Sequence, residues 1–238
     1  MNEARPIDRL DRAERPNESR DRAERLLAAA AVGAAFVATI WVFTRSPEEA
    51  TLRTSIRILY VHVGAAFTAY VAYAVTAAAA LLFLWRRERR WDRVAVAAAE
   101  WSVVLSTITL VTGSIWARIA SGWWWQWSDP RLTLSLLLWF VYIGYLLLRH
   151  ATDGDRRAVL SAVLGVAAIP ASILNHFATL LFRTEHPPPI LTRPDGPAAD
   201  PAIVQAVLLS LAAYGLIFAW GMVARVRLEA ARDALADG

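Results

Sequence analysis

Side chains able to bind a ligand or a metal cluster in three separate stretches of the sequence, and the densest stretch is a Trp-rich connection. Five of the eleven tryptophans lie between residues 116 and 127, and Asp129 and Arg131 follow directly. Large flat rings beside charged groups suit a large planar molecule with charged edges. Tryptophan also collects at the headgroup level of membranes, so an interfacial anchor is the alternative interpretation. The five tryptophans are Trp116, Trp123, Trp124, Trp125 and Trp127.

The other two stretches each carry a histidine. His62 lies a few residues inside an apolar run, where an ionisable side chain is costly and usually functional. On its helical face follow Ala66, Ala69 and Tyr73, so the wall beside it is mostly of small residues and a planar ligand could lie there. His186 stands directly before three prolines, which predict a stiff, extended segment.

Two imidazoles at one membrane face, with aromatic rings between them and no cysteine, suit an iron porphyrin better than a structural metal. Axial ligation by both His62 and His186 requires ring nitrogens roughly 4 Å apart, since a metal–imidazole bond is about 2 Å long. A hydrogen bond to a neighbouring helix is the structural alternative for His62. His176 is a reserve ligand or a buried hydrogen-bonding partner, and His150 is predicted to be a solvated residue at a helix end.

Arginines near these stretches are natural partners for haem propionates, because a guanidinium pairs with a carboxylate through two parallel hydrogen bonds. Each of them could equally contact lipid headgroups. The nearest are Arg131, Arg118, Arg57 and Arg183. Glu100 is an acid far from this surface, and its predicted role is an interhelical hydrogen bond.

The composition excludes several classes of function. A chain of 238 residues with 57% hydrophobic content and a mean hydropathy of +0.37 is predicted to be an integral membrane protein. It contains no cysteine, which rules out disulfides, thiolate metal sites and covalent thioether attachment of haem. All 25 basic residues are arginine, so the chain lacks the lysine of an ATP-hydrolysing P-loop. Arginines beside apolar runs indicate membrane topology rather than a nucleic-acid surface.

Six apolar runs approach or exceed the ~20 residues needed to cross a bilayer, which predicts an all-α, six-helix membrane bundle with an external Trp-rich loop. Eighteen of the 25 arginines fall on one side of these runs. The positive-inside rule therefore predicts cytoplasmic termini and an outward-facing Trp-rich connection. The runs are Leu26–Thr44, Ile56–Trp85, Val94–Trp116, Leu132–Leu148, Ala158–Phe182 and Ala202–Ala224.

The distribution of apolar and charged residues divides the chain into three parts. Residues 1–25 alternate Arg with Asp and Glu and predict a polar, disordered cytoplasmic tail. Residues 26–226 form the predicted membrane domain, and residues 227–238 a short cytoplasmic tail. No cleavable signal peptide is predicted, because the N-terminus is too long and too acidic.

These stretches, in this order within six spans, resemble the haem exporter protein C family of cytochrome c maturation, within a wider group named for a Trp-rich WWD domain. The middle stretch carries the pattern G-x-W-W-x-W-S-D-x-R-L-T. The matching segments are Tyr60–Val63, Gly122–Thr133 and Phe182–Pro187. Gly64, Phe67 and Phe182 stand where the family usually has Pro, Trp and Trp, and Ser128 is inserted before Asp129.

The resemblance implies a non-enzymatic protein that binds b-type, non-covalent haem and delivers it at the outer face of the cytoplasmic membrane. It implies that His62 and His186 are the axial ligands, above a Trp-rich platform with Asp129 and Arg131. The implied partners are a CcmE-like haem chaperone, the CcmB-like membrane and CcmA-like ATPase subunits of an ABC transporter, and a small CcmD-like membrane subunit.

Two other classes of function remain open. A membrane b-type cytochrome in quinone-linked electron transfer commonly places its histidine pairs within facing helices, whereas His62 and His186 belong to one surface. A small-solute transporter subunit with an aromatic vestibule would carry no haem. A sister family in another cytochrome c maturation system shares the Trp-rich motif, but in a longer chain.

Overall fold

The structure, a computed structural model, describes residues 6–46, 54–186 and 200–236. Within these ranges the chain forms seven α-helices and one 3₁₀ turn, and no strand. The 3₁₀ turn, Thr54–Ile56, leads directly into the second helix. The helices are α1 (Pro6–Thr44), α2 (Arg57–Arg86), α3 (Arg89–Ser121), α4 (Pro130–Ala151), α5 (Gly154–Ala167), α6 (Ile169–Leu181) and α7 (Pro201–Ala236).

The predicted six-span, all-α membrane fold is confirmed, because six helical segments of the described chain are long and apolar enough to cross a bilayer. The fifth segment consists of α5 and α6, which meet at Ala168. The sequence interpretation treated it as one uninterrupted run. Pro170 lies in the first turn of α6, and proline has no N–H and clashes with the carbonyl four residues earlier. The helix is therefore interrupted at Ala168, between α5 and α6.

The two terminal helices extend beyond the membrane into the polar ends of the chain. α1 begins at Pro6, and Arg227 near the end of α7 pairs with Asp21 and Glu24 of α1. The division into a tail of residues 1–25, a membrane domain of residues 26–226 and a tail of residues 227–238 stays a prediction. The proline-rich segment predicted after His186 lies outside the described residues.

The second helix lies at the centre of the bundle and packs against α3, α5 and α7. Alanine fills the contact surfaces, including Ala65, Ala69 and Ala72 of α2 and Ala97–Ala99 of α3, all buried. Small residues let helices approach closely, and this packing drives helix association where lipid removes the hydrophobic driving force. The bundle therefore depends on tight backbone contacts around α2.

The bundle has two ends of different character. The Trp-rich end carries residues 122–129 and 182–186, and the Arg-rich end carries the α2–α3 and α4–α5 turns. Ion pairs tie α3 to α4 and α7 near the Arg-rich end. They are Arg149–Asp92 at 2.6 Å, Arg225–Glu100 at 2.5 Å and Arg93–Asp233 at 2.7 Å. The interhelical hydrogen bond predicted for Glu100 is thus confirmed, with Arg225 as its partner.

Candidate functional site

A cavity of about 60 Å³ opens at the Trp-rich end between α2, α3, α4 and α6. Two histidines, two tryptophans and one arginine line its mouth. They are His62, His186, Trp124, Trp125 and Arg131. The deeper wall includes the small residues and the tyrosine that share a helical face with His62, together with polar residues of α3 and α6. These are Ala66, Ala69, Tyr73, Ser106 and Asn175. The fold thus brings together residues from all three sequence stretches.

His62 is held by α3 in a defined tautomer. The hydroxyl of Thr112 donates to the carbonyl of Ile108 at 2.6 Å, so its oxygen is left to accept from His62 Nδ1, 3.2 Å away. His62 therefore carries its proton on Nδ1 and keeps the lone pair of Nε2 for a ligand. An added Cβ at Gly113 would lie 2.8 Å from His62 Cε1, so a glycine is needed where the ring rests on α3.

The second histidine stands opposite the first across the cavity mouth. The ring centroids of His62 and His186 are 6.3 Å apart, and the rings are tilted by 37°. The backbone N–H of His186 donates to the hydroxyl of Thr184 at 2.8 Å. The described residues contain no cluster of three or more His, Asp or Glu side chains suited to a metal ion. The chemistry available here is ligation by two imidazoles.

Asp129 joins the Trp-rich connection to the loop that carries His186. Its Oδ1 accepts from the backbone N–H groups of Arg131 at 2.9 Å and Leu132 at 3.1 Å, and thereby caps α4. Its Oδ2 accepts from the backbone N–H of Glu185 at 2.6 Å, and the hydroxyl of Thr184 also donates to the carboxylate. Asp129 is 2% exposed and does not line the cavity.

The protonation state of Asp129 follows from these contacts. Burial by itself raises the pKa of the carboxyl. The hydrogen bonds from Leu132, Thr184, Glu185 and Arg131 lower it by more, so the pKa of Asp129 lies below its usual value. The group is therefore ionised at neutral pH. Its carboxylate ties the start of α4 to the loop that carries His186.

The five tryptophans of the connection occupy different positions. Trp124 and Trp125 line the cavity, and the indole N–H of Trp125 is buried without a hydrogen-bond partner in the described part of the chain. Trp127 packs edge-on against Trp125, with ring centroids 5.8 Å apart, and is 71% exposed. Trp116 and Trp123 are half-buried and do not line the cavity. Two rings, not five, therefore face the mouth.

Arg131 is the arginine of the four candidates that lines the cavity. Its Nη1 lies 3.4 Å from the backbone carbonyl of His176, a long contact that leaves most guanidinium donors for other partners. The ring of His176 stands edge-on to Tyr70 at 5.3 Å, outside the cavity lining, and His150 is exposed at the end of α4. Arg57 instead lies over the ring of Phe43, at 5.1 Å.

Several residues of the site were missed by the sequence interpretation. Thr112 and Gly113 support His62 from another helix, and no local signal connects positions 50 residues apart. Thr184 does have a signal, since a threonine hydroxyl commonly accepts from the N–H two residues later. The Asp-Pro pair at 129 and 130 is likewise a recognisable helix start, because aspartate caps and proline suits the first helical position.

Comparisons with known proteins point to a single family. A family model described as Heme exporter protein C matches residues 7–237. A protein of that name from Rhodobacter capsulatus is 31% identical over 192 residues, covering 80% of this chain and 79% of that protein. Its namesake from Paracoccus denitrificans is 31% identical over 199 residues, covering 83% and 82%. The one from Escherichia coli strain K12 is 36% identical over 164 residues, covering 67% and 65%.

Proposed function

Because this chain belongs to the haem exporter protein C family, we propose that its cavity mouth holds haem as cargo for cytochrome c maturation. The proposed role is binding and delivery, with no bond of the haem made or broken. The haem would be b-type and non-covalent, since the chain has no cysteine for a thioether link.

The observation that carries the proposal is the distance between the two histidines. Two imidazoles on opposite sides of one iron, each bonded over about 2 Å, have ring centroids roughly 6 Å apart. His62 and His186 have centroids 6.3 Å apart. The hydrogen bond from His62 Nδ1 to Thr112 also leaves Nε2 ready to ligate, as second-shell partners of metal-bound histidines do. Both features support axial ligation of one iron by this pair.

The remaining mouth residues fit the other parts of a haem. The two histidines, Trp124, Trp125 and Arg131 line one open cavity, so the porphyrin ring would lie between the histidines at its mouth. Trp124, which is 59% exposed, and Trp125 offer flat apolar surface for the ring. The guanidinium of Arg131 is a donor suited to a propionate. Holding haem across an open mouth is compatible with passing it on.

We further propose the location and the partners of this step. The arginine asymmetry supports a multi-pass protein of the cytoplasmic membrane with both termini in the cytoplasm and the Trp-rich end outside. The family resemblance supports transfer to a membrane-anchored haem chaperone. It also supports an ABC transporter with membrane and ATPase subunits, and a small membrane subunit, as partners. The chain itself lacks the P-loop lysine for ATP hydrolysis.

The experiment that tests the proposal is an absorption spectrum and haem assay of the protein purified after haem-replete expression. We expect bound haem in the wild type, and an altered spectrum and redox potential in His62→Ala and in His186→Ala, because axial ligands control haem electronics. The double variant should retain little or no haem, with a non-additive effect. His150→Ala is the control, since this exposed residue lies at the Arg-rich end.

Two results would overturn the proposal in different ways. A wild-type protein without haem would remove its basis and favour a solute transporter. Unchanged spectra in both single variants, together with loss of haem in His176→Ala, would favour a b-type cytochrome. The geometry argues against that second result, because His176 is exposed and contacts Tyr70 rather than another histidine.

A further inference from the structure

The turn between α2 and α3 at the Arg-rich end has an unusual backbone. Arg87 follows the last residue of α2 with φ 58° and ψ 25°, and its N–H donates to the carbonyl of Phe83 at 2.8 Å. Among the described residues it is the one non-glycine residue with positive φ. The two other positions with positive φ are Gly122 and Gly154. A side chain in this region is strained, and such strain tends to persist where a side chain has a task.

The residues around Arg87 form a symmetric sequence, Trp-Arg-Arg-Glu-Arg-Arg-Trp, from Trp85 to Trp91. The guanidinium of Arg86 lies over the ring of Trp85 at 5.2 Å, and that of Arg90 lies over the ring of Trp91 at 5.0 Å. A guanidinium is attracted to the face of an aromatic ring, and its planar fork of N–H donors matches a phosphate. The contact with Trp85 thus holds Arg86 near the end of α2.

The charge of this turn is only partly neutralised. Arg90 pairs with Glu88. By contrast, Arg86 and Arg87 are exposed and have no carboxylate within ion-pair distance in the described part of the chain. Other arginines at this end are paired with carboxylates. Arg93 pairs with Asp233, Arg149 with Asp92, Arg225 with Glu100 and Glu229, and Arg227 with Asp21 and Glu24. Two cations at one tight turn are thus left for an external anion.

The surroundings of the two cations indicate what kind of anion fits. Trp85 is 76% exposed and Leu81, one turn earlier, is 48% exposed, so apolar surface faces lipid directly below the arginines. Tryptophan at this level prefers the headgroup region of a bilayer. We propose that this turn, Trp85–Trp91, is a binding site for an anionic phospholipid. Its phosphate contacts Arg86 and Arg87, and an acyl chain lies along Trp85 and Leu81.

The test uses the full-length protein in detergent, with binding of phosphatidylglycerol and of zwitterionic phosphatidylcholine followed by native mass spectrometry and thermal shift. We expect selective binding of phosphatidylglycerol. Arg86→Gln with Arg87→Gln should weaken it about thirtyfold, since each arginine near the membrane surface contributes roughly fivefold to binding of anionic lipid. The matched control is Arg156→Gln with Arg157→Gln, another exposed arginine pair at this end, without flanking tryptophan. It should bind as the wild type.

A single variant separates lipid binding from folding. Arg87→Gly removes one charge and relieves the positive φ. It should therefore raise the melting temperature of lipid-free protein while it weakens phosphatidylglycerol binding about fivefold.

Three outcomes would overturn the proposal. One is wild-type binding in the Arg86/Arg87 variant, and another is an equal loss in the Arg156/Arg157 control, which would reduce the effect to general surface charge. The third is a full thermal shift with inorganic phosphate alone, which would identify a site for free anions instead of lipid.

Discussion

Replacement of Asp129 is the most direct test of how the second histidine is held, because one carboxylate serves both α4 and the loop before His186. Asp129→Ala removes every acceptor that the carboxylate offers. Asp129→Asn keeps one acceptor oxygen, and its NH₂ group can only donate. The asparagine can therefore cap α4 or accept from the N–H of Glu185, but it cannot do both.

The expected magnitudes follow from the bonds lost. Loss of an N-cap costs about 1 kcal/mol, and loss of a hydrogen bond to a charged group about 2 kcal/mol. Asp129→Ala should therefore destabilise the protein by about 3 kcal/mol, and Asp129→Asn by about half as much. A loss of about 2 kcal/mol from loop docking lowers the docked-to-undocked ratio roughly thirtyfold. Asp129→Ala should accordingly acquire the spectrum of His186→Ala while His62 stays in place, and Asp129→Asn should show a smaller change.

The assay combines the haem spectrum with thermal unfolding at several pH values. The pKa of Asp129 is lowered in the folded state, so its contribution to stability is complete above the ordinary aspartate pKa and is lost as pH falls through the lowered value. The stability difference between the wild type and Asp129→Asn should therefore be constant from neutral pH to about pH 4 and shrink below it.

A matched control uses another aspartate that precedes a helix. Asp153 stands at the N-cap of α5 without a side-chain capping bond, so Asp153→Asn should change neither stability nor spectrum. A wild-type spectrum in Asp129→Ala, or an equal loss in Asp153→Asn, would refute the idea that Asp129 places His186.

Further predictions concern other residues at the Trp-rich end and the orientation of the chain. Thr112→Val removes the acceptor for His62 Nδ1 and should weaken haem binding about tenfold or more, as loss of second-shell partners does; unchanged affinity in a haem titration would contradict the assigned tautomer. Gly113→Ala pushes against Cε1 of His62 and should shift the haem spectrum more than the melting temperature. The chain has no cysteine, so Ser128→Cys and Arg156→Cys can be labelled singly. An impermeant reagent should reach the first from outside and the second only after permeabilisation, and the reverse would overturn the proposed orientation.

The membrane spans were predictable because each requires ~20 apolar residues in one continuous stretch, which can be recognised directly in the sequence. The break at Ala168 was equally accessible from Pro170, but the sequence interpretation used hydropathy alone and passed over the proline. Local chemistry likewise marks Asp129 and Pro130 as a helix start.

The sequence could not indicate which distant segments of the chain contact each other. The bond from Glu185 to Asp129 spans 56 residues, and the one between His62 and Thr112 spans 50. Nothing in either segment specifies its partner. For this reason the sequence could point to Asp129 as a candidate haem contact but not to its bond with the loop before His186. The same limit explains the tryptophans, since only packing decides that Trp124 and Trp125 face the cavity and Trp116 does not.

The open mouth of the cavity has a consequence for how quickly a large molecule leaves it. A protein that encloses its ligand releases it only after local opening of the structure, so the rate of opening limits the dissociation rate. Here the side chains that would hold a porphyrin lie at the rim of an open cavity, where Trp124 is 59% exposed. The residence time should then depend on the rim residues and on a competing acceptor. Mutations that stiffen the alanine-packed centre around α2 should raise the melting temperature and leave the residence time unchanged.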